Sequence, residues 1–443
     1  MSINLITMND TYNPLLDTLN DAKQLVGWVD SPNVRGTIDI IWSCVLVLVT
    51  SLWTVIHLNL PAKDDRWIRV IARKLRWGFM AILGPDLLTL IAANQWESAR
   101  RSVAQIKDLA GSKEWTLKHA FYADSGGFHL QPAEGPSFPI NASTLHFLVS
   151  RQYIKLPEIS SEEIWDKSKA DVFAKSFTLL QTGWIAIQSI ARAIQGLSIS
   201  PMELFTLAFL VSTASSYFFW WHKPQDVKIP IVIECKYSIA TILAENGVLD
   251  TRYANTPLDF VANSTRFYER RRTFQNFDLE RRGQDQSADR IPLQRIPDDD
   301  FLLSLPFSLV YLIAIPAVIH SSIHLAGWNF AYPTPTEKLL WRISSVVLAA
   351  GSSINVGVTR ILAVLGYEGE YNLALVWVNT NRRQAGDSSN RVFSAFADTF
   401  LTLSTLVLVI VRCFIITEAI ISLRKLPADA FETPNWTNFI PHI

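Results

Sequence analysis

Long apolar runs alternate with charged segments along this chain. Runs of about 20 mostly apolar residues are typical of helices that cross a hydrocarbon core of about 30 Å. The predicted spans are Ile38–Leu60, Phe173–Ile194, Pro201–Trp221, Leu302–Ala326, Leu339–Leu365 and Phe396–Leu423. The pattern therefore predicts an all-α fold, a polytopic membrane helical bundle of about six transmembrane helices.

The apolar stretch Trp77–Asn94 departs from this pattern because Pro85 and Asp86 lie at its centre. Proline removes a helical hydrogen bond, and a carboxyl at membrane depth is costly. The segments before and after it are both basic, as is the 223–301 loop, and basic loops are retained on the cytoplasmic side. All three share that side only if the stretch does not cross. We therefore expect a re-entrant or interfacial helix; the alternative is a seventh span.

The spans and loop charges divide the chain into segments with predicted locations. Both ends of the chain are predicted to be lumenal, because six crossings return it to the side on which it starts. The segments are a lumenal N-terminal segment (1–37), a first membrane part (38–222) with a soluble insert (95–172), a polar and partly disordered cytoplasmic loop (223–301), a second membrane part (302–423) and a C-terminal tail (424–443).

Composition supports a membrane protein and excludes several other classes. Hydrophobic residues make up 49% of the 443 residues, and several of the 15 tryptophans stand at the ends of apolar runs, as in interfacial belts. The formal net charge is zero, so nothing draws the chain to nucleic acid. The three cysteines have neither disulfide-framework nor zinc-site spacing. We expect no metal and no cofactor.

Acidic residues within or beside apolar stretches are the main candidates for chemistry. A carboxyl buried in hydrocarbon must be paired, solvated in a cavity or protonated, and a protonated one is a usable Brønsted acid. The candidate catalytic residues are Asp86, Asp124 and Glu97, with Glu97 on the same helix face as Asp86. A local hydrogen bond at the kink is the alternative role for Asp86. Arg412, inside the last apolar run, is expected to pair with an acid from another helix.

A second set of residues could line a substrate pocket because aromatic and polar side chains recur at helical spacing. Packing between helices is the alternative role for these side chains. Two histidines four residues apart lack a third ligand, so hydrogen bonding is expected there, and the acidic run 298–300 is expected to be solvated. The candidate pocket residues are Trp96, Trp184, Gln188, Arg192, Trp220, His324 and Trp328.

Several strings resemble a large family of multi-pass membrane proteins of filamentous fungi. They are HAFYADSGGFHL (119–130), LQTGWIAIQSIARAI (180–194), WWHKP (220–224), IHLAGWNFAYPT (323–334), EKLLWRIS (337–344) and LPADAFETPNWTNFIPHI (426–443). Some members of that family resemble the integral membrane terpene cyclases of fungal meroterpenoid pathways, of the macrophorin and ascofuranone kind. No catalytic motif carries over residue by residue.

The resemblance implies a membrane-bound terpene cyclase acting on a prenylated, farnesyl-type secondary metabolite. Such cyclisation begins when a carboxylic acid protonates an epoxide or terminal olefin, and it needs no metal. Aromatic rings would stabilise the carbocations. The partners are the lipid bilayer, a hydrophobic prenylated small molecule and other enzymes of a biosynthetic pathway, in the endoplasmic reticulum or another endomembrane. The rival hypothesis is a non-enzymatic transporter, receptor-like protein or scaffold.

Overall fold

The computed structural model describes residues 24–31, 35–110, 115–246, 294–298, 307–364 and 389–435. These residues are mostly helical. The helices are α1 (Thr37–Val55), α2 (Trp67–Leu83), α3 (Pro85–Ala110), α4 (Leu117–Asp124), α5 (Ala142–Ser150), α6 (Ser161–Asp166), α7 (Lys169–Ile194), α8 (Pro201–Trp220), α9 (Ile239–Glu245), α10 (Phe307–Ile323), α11 (Pro335–Val364) and α12 (Ser389–Ile421). Most of the predicted partly disordered loop lies outside the described residues.

Short strands and 3-10 turns complete the secondary structure. The strands are β1 (Leu25–Val26), β2 (Phe128–Gln131), β3 (Phe138–Ile140), β4 (Ile231–Glu234) and β5 (Leu426–Pro427), and the 3-10 turns are His324–Asn329, Ser422–Arg424 and Ala428–Phe431. The all-α prediction therefore holds for the apolar part of the chain and missed the small sheets. Strands this short leave little periodic signal in a sequence.

Four helical segments among the described residues are long and apolar enough to cross a membrane. They are Thr37–Val55, Pro201–Trp220, Tyr311–Asn329 and Leu403–Arg424, and the bent pair of α2 and α3 would make five. The predicted spans in α7 and α11 are not among these candidates, which were sought within the described residues, so they stay predictions. The protein is thus a multi-pass membrane protein by its apolar helices.

Helix α8 is the centre of the bundle. In its apolar segment 72% of the residues are buried, against 33% in α1, so most of α8 is covered by protein. It packs against α1, α3, α10 and α12. Its start is defined by Ser200, whose hydroxyl accepts from the Glu203 backbone N–H at 3.2 Å, and by Pro201 in the first turn. Side chains on the surrounding helices therefore meet around one buried element.

Helices α2 and α3 form a V, bent by 115° at Gly84 and Pro85. Pro85 cannot supply the N–H that would continue α2, but it suits the first turn of a new helix. The Gly84 N–H closes α2 by donating to Met80 O at 2.8 Å. Helix α3 then runs unbroken to Ala110, across residue 95, at which the soluble insert is predicted to begin.

The insert is a small α+β unit with its own core. Strand β2 pairs antiparallel with β3 and parallel with β4, which comes about 100 residues later in the chain. The core residues include Trp115, Tyr122, Phe128, Leu130 and Leu145. A Cβ at Gly127 would overlap the Tyr122 ring, so the glycine allows the aromatic ring to pack on the backbone.

Both ends of the described chain meet at one end of the bundle, which we call the termini end. Strand β1 pairs antiparallel with β5, and the Arg35 N–H donates to Phe431 O at 3.1 Å. Arg35 also forms a buried ion pair with Glu203 at the start of α8. Arg424, which follows α12, pairs with Glu337 in the first turn of α11. The starts of α1, α8 and α11 and the end of α12 therefore lie together.

Candidate functional site

A buried lysine organises the opposite end of the bundle. Lys223 follows the last turn of α8, and its ammonium donates to three oxygens: His57 O at 2.7 Å, Asn59 Oδ1 at 2.9 Å and Gln95 Oε1 at 2.8 Å. The side chain is only 2% exposed. Three charge-assisted hydrogen bonds satisfy the three N–H groups of the ammonium. Lys223 thus joins the segment after α1, the middle of α3 and the end of α8.

Gln95 and Trp220 extend these contacts. Gln95 Oε1 accepts a second hydrogen bond from Trp220 Nε1 at 2.9 Å, and its Nε2 donates to Asp298 O at 3.0 Å. The His57 ring lies 5.5 Å from the Trp220 ring, centroid to centroid, and Lys223 Nζ is 5.3 Å from the Trp220 ring centroid. An aromatic wall therefore borders the ammonium, an arrangement that favours a cation.

Asp298 supplies negative charge to the same region. Its Oδ1 accepts from the Asn59 N–H at 2.7 Å, and its Oδ2 lies 3.4 Å from both Arg73 Nε and Arg295 Nη1. The expectation that this acidic run is solvated is wrong for Asp298, which is 4% exposed, because two arginines compensate its burial. Residues 299 and 300 lie outside the described residues. The contacts of Lys223, Asn59, Gln95, Trp220 and Asp298 are called the lysine network below.

Asp124 lies beside the lysine network at the end of α4. Its Oδ2 accepts from Ser98 Oγ at 2.8 Å, and its Oδ1 accepts from the Ala142 N–H at 3.0 Å. Ser98 is three residues after Gln95 on α3, so the two side chains share a helix face. The carboxyl is partly exposed, and it forms no ion pair with any other described residue.

The pKa values of Asp124 and Lys223 are both shifted toward neutral pH. Burial raises the pKa of Asp124 to about 6, against which the hydrogen bonds from Ser98 and Ala142 act. Burial also lowers the pKa of Lys223 to about 7, although Asp298 and Asp124 favour its ammonium. Two neighbouring groups that titrate near pH 6 and pH 7 form a set that can donate or accept a proton in the physiological range.

Asp86 has a different environment, at the bend of the V. Its Oδ2 lies 3.4 Å from Arg412 Nη2, and Arg412 Nη1 donates to Leu83 O at 3.3 Å. The prediction that Arg412 pairs with an acid from another helix is therefore confirmed, with Asp86 as that acid. The guanidinium binds both sides of the helix break. Asp86 thus has a guanidinium in contact, whereas Asp124 contacts no cation within the described part of the chain.

The structure does not bring the three candidate acids together. Asp86 and Glu97 are 11 residues apart on one continuous helix, which separates them by about 16 Å. Glu97 instead pairs with Arg101 Nε at 3.0 Å. Asp124 lies near the Glu97 end of α3 through Ser98, away from Asp86. A concerted role for Asp86 and Glu97 is therefore ruled out by distance.

The predicted pocket residues are also dispersed. Trp220 belongs to the lysine network, and Trp96, nearby on α3, packs 5.7 Å from Phe219, centroid to centroid. Trp184 and Gln188 line a groove of about 310 Å³ between α1 and α7. His324 is buried, with its ring centroid 5.7 Å from that of His320. Trp328 is 40% exposed and carries Arg342 over its ring.

Arg192 is fully buried at the termini end. Its guanidinium donates to four backbone carbonyls, those of Ser198, Asp429, Ala430 and Glu432. These contacts hold the C-terminal segment against the turn between α7 and α8. With all of its contacts on backbone oxygens, Arg192 stabilises the fold at this end of the bundle.

Sequence reasoning missed Lys223, Asn59 and Gln95. A signal was present, since Lys223 is the lysine of the WWHKP string directly after an apolar helix. A charged residue at such a helix end is usually solvated, so only its partners reveal its burial. Within the described residues, no group of three or more His, Cys, Asp or Glu side chains could hold a metal ion.

Comparison with known proteins identifies a family. A profile described as "Family of unknown function (DUF8562)" matches residues 15–246 and 308–443. No curated protein and no solved structure matches the chain. The matched segments include Asp124 and Lys223, and they cover well over half of the 443 residues. The chain therefore belongs to this family of unknown function.

Proposed function

We propose that the chain crosses the bilayer six times and that α2 and α3 enter and leave on one side. The contacts at the termini end support this, because α1 starts where α12 ends, which requires an even number of crossings. Arg73 on α2 and Gln95 on α3 both contact Asp298, so the two arms of the V open toward the lysine network. A crossing V would make the number of crossings odd.

Cysteine labelling in sealed vesicles tests this topology. Lys63→Cys and Arg100→Cys, on either side of the V, should react with an impermeant maleimide from the same side. Thr334→Cys, at the termini end, should react only from the other side. Labelling of positions 63 and 100 from opposite sides would show that the V crosses the membrane. The basic loops then indicate that the lysine network faces the cytoplasm.

We further propose that the protein is a membrane-bound cyclase of a prenylated, farnesyl-type metabolite, with Asp124 as general acid. The observation that carries the proposal is Asp124 itself, which is partly exposed, free of a contacting cation among the described residues, and has a pKa raised to about 6. Such a carboxyl can be protonated and still reach a substrate. Asp86 is less suited, because the Arg412 guanidinium already occupies one of its carboxyl oxygens at 3.4 Å.

The reaction would need only a proton and an aromatic surface. Asp124 would donate its proton to the epoxide oxygen or terminal olefin. With an epoxide, the C–O bond breaks as the neighbouring alkene supplies the electron pair of the new C–C bond. The final cation loses a proton, so the reaction is an isomerisation without a cofactor. The aromatic side chains Phe121, Phe219 and Trp220 lie in one buried cluster with residues of α3, and aromatic faces stabilise cations.

The test is product formation by microsomes that contain the protein and are fed a farnesylated epoxide. We expect cyclised product from the unmutated chain and a loss of at least 100-fold, roughly the contribution of a general acid, in Asp124→Asn. Glu134→Gln, an exposed carboxyl in the same insert, is the matched control and should retain activity. If the unmutated chain forms no product, the proposed cyclase function is wrong. If Asp124→Asn keeps full activity, Asp124 is not the general acid.

A non-enzymatic transport function is the second candidate, and a separate observation favours it. Among the described residues, the buried polar atoms without a hydrogen-bond partner include Asp86 Oδ1, Arg412 Nε, His320 Nε2 and His324 Nδ1, all in the apolar part of the bundle. Unpaired polar groups at membrane depth are costly, and they mark ion or proton pathways. Proton flux into proteoliposomes that is abolished by Asp86→Asn and retained by Asp124→Asn would favour this function over the cyclase.

A further inference from the structure

Helix α2 has its apolar and charged residues in an inverted arrangement. Several of its large apolar side chains are exposed: Trp67 at 70%, Leu75 at 61% and Phe79 at 65%. Its buried side chains include Arg73 and Lys74, at 9% and 4%. A helix in water would bury the first set and expose the second. The exposed face of α2 is therefore built for contact with lipid.

The buried cations of α2 are already neutralised inside the protein. Arg73 lies 3.4 Å from Asp298, and Lys74 Nζ lies 3.3 Å from Asp226 Oδ2 and 4.5 Å from the Trp53 ring centroid. These contacts fix the rotation of α2 about its axis, because two consecutive charged residues must face their partners. The apolar side chains at positions 67, 68, 71, 75 and 79 are turned outward as a consequence.

A second group of basic residues borders this apolar face. Arg66, Arg69 and Arg76 are exposed. Arg69 and Arg76 are seven residues apart, so they form one stripe along the helix beside the apolar face. Arg69 makes one weak ion pair, 3.8 Å from Asp65, and Arg66 and Arg76 make none with the described residues. The stripe thus presents positive charge that the described residues compensate only at Arg69, and there only weakly.

An apolar face bordered by arginines matches one leaflet of a bilayer that contains anionic lipid. Aromatic and aliphatic side chains enter the boundary between headgroups and acyl chains, and the arginines reach the phosphate and carboxylate groups. The exposed Lys63 lies just before this helix and adds charge on the same side. Zwitterionic headgroups would satisfy the apolar face but not the charge.

We propose that the outward face of α2 binds anionic phospholipid headgroups through Arg66, Arg69 and Arg76, with Trp67, Leu75 and Phe79 inserted beside them. This surface includes neither Asp124 nor Lys223, so the proposal stands whether or not the protein is a cyclase. It would concentrate anionic lipid along the V on the side where the two arms open.

Spin-labelled lipids test the proposal on the full chain reconstituted in phosphatidylcholine vesicles. The fraction of motionally restricted label should be several-fold higher for phosphatidylserine than for phosphatidylcholine, with an upper bound of about fivefold per arginine. The preference should decrease in about 1 M salt, where the Debye length is about 3 Å. Equal restriction of the two lipids by the unmutated protein would overturn the proposal.

The variant Arg66→Gln/Arg69→Gln/Arg76→Gln should lose most of this preference. All three side chains are exposed, so the thermal unfolding midpoint should stay close to that of the unmutated protein. The matched control is Lys338→Gln/Lys425→Gln at the termini end, which should keep the preference. An unchanged preference in the triple arginine variant would show that other residues recruit the lipid. Cross-linking between copies through position 75 would instead show that a second chain covers this face.

Discussion

Both ends of the bundle bury charged side chains, but the contacts that compensate these charges differ between the two ends. At the termini end, Arg192 donates only to backbone carbonyls, and Arg35 and Glu203 pair with each other. At the lysine network, Lys223 is equally buried, but the nearby carboxyl of Asp124 is partly exposed and contacts no cation from the segments that the structure describes. The termini end has the contacts of a structural joint, and the other end holds a group able to exchange a proton.

The largest expected effect is at Arg192. Replacement with methionine would remove the side-chain donor of the Ser198 and Glu432 carbonyls and one of two donors at the Asp429 and Ala430 carbonyls. We expect a loss of about 3 to 5 kcal/mol in unfolding free energy, because hydrogen bonds from a charged group contribute about 1.5 to 3 kcal/mol each. Thermal unfolding in detergent measures it. Arg151→Met, an exposed arginine, should change stability by less than about 0.5 kcal/mol. A loss below about 0.5 kcal/mol at Arg192 would show that its contacts do not stabilise the termini end.

A similar but separable effect is expected at the Arg35 and Glu203 ion pair. Glu203→Gln leaves the buried Arg35 uncompensated and should cost about 3 kcal/mol. The double variant Arg35→Met/Glu203→Gln should be less destabilised than the sum of the two single variants, because the unpaired charge is gone. Additive losses, measured by the same unfolding experiment, would mean that the two residues act independently.

Lys223→Met should destabilise the protein less, by about 1 to 3 kcal/mol. Of its three acceptors, Gln95 Oε1 keeps a donor in Trp220, whereas the oxygens of His57 and Asn59 lose theirs. The loss of a nearby cation should also raise the pKa of Asp124 further. Unfolding midpoints and the pH profile of product formation measure the two effects. His222→Gln, at the neighbouring exposed position, is the control and should show neither.

Asp124→Asn should have the smallest effect on stability and a pH-dependent sign. The folded pKa of about 6 lies above the ordinary value of 3.8, so burial favours the neutral acid. The stability that the unmutated protein gains from the protonated form is present below pH 4 and is lost as the pH rises through 6. The variant should therefore gain relative stability as the pH rises from about 4 through about 6, with no further gain at higher pH. The thermal unfolding midpoints of the variant and the unmutated protein, measured across this pH range, test this. If both midpoints depend on pH in the same way, Asp124 is not held in a desolvating environment.

Some of this organisation could be read from local sequence. Apolar runs predicted a multi-pass helical membrane protein, because a helix that contacts lipid needs an unbroken apolar sequence. Arg412 was expected to need an acid, since an unpaired guanidinium at membrane depth is costly. The break at Pro85 could also be expected, because proline lacks the N–H that would continue the helix.

The contacts between distant segments could not be read in this way. The lysine network joins residues 57, 59, 95, 220, 223 and 298, and nothing in the spacing of these positions relates them. The sheet of the insert escaped prediction for the same reason, since its β4 strand follows helices α7 and α8 in the chain and still pairs with β2. Separations of 100 residues or more leave no periodicity in a single sequence.

By itself the sequence determined that long apolar helices enter a membrane, because hydrophobicity and length act locally. It also placed acids, arginines and prolines at membrane depth. Only the tertiary structure decided which of these charges are neutralised. Asp86 is paired with Arg412, and Asp298 is paired with two arginines. Asp124 contacts no cation among the described residues. The reason is physical, since the cost of a buried charge depends on the groups within a few ångströms, and folding alone brings those groups together.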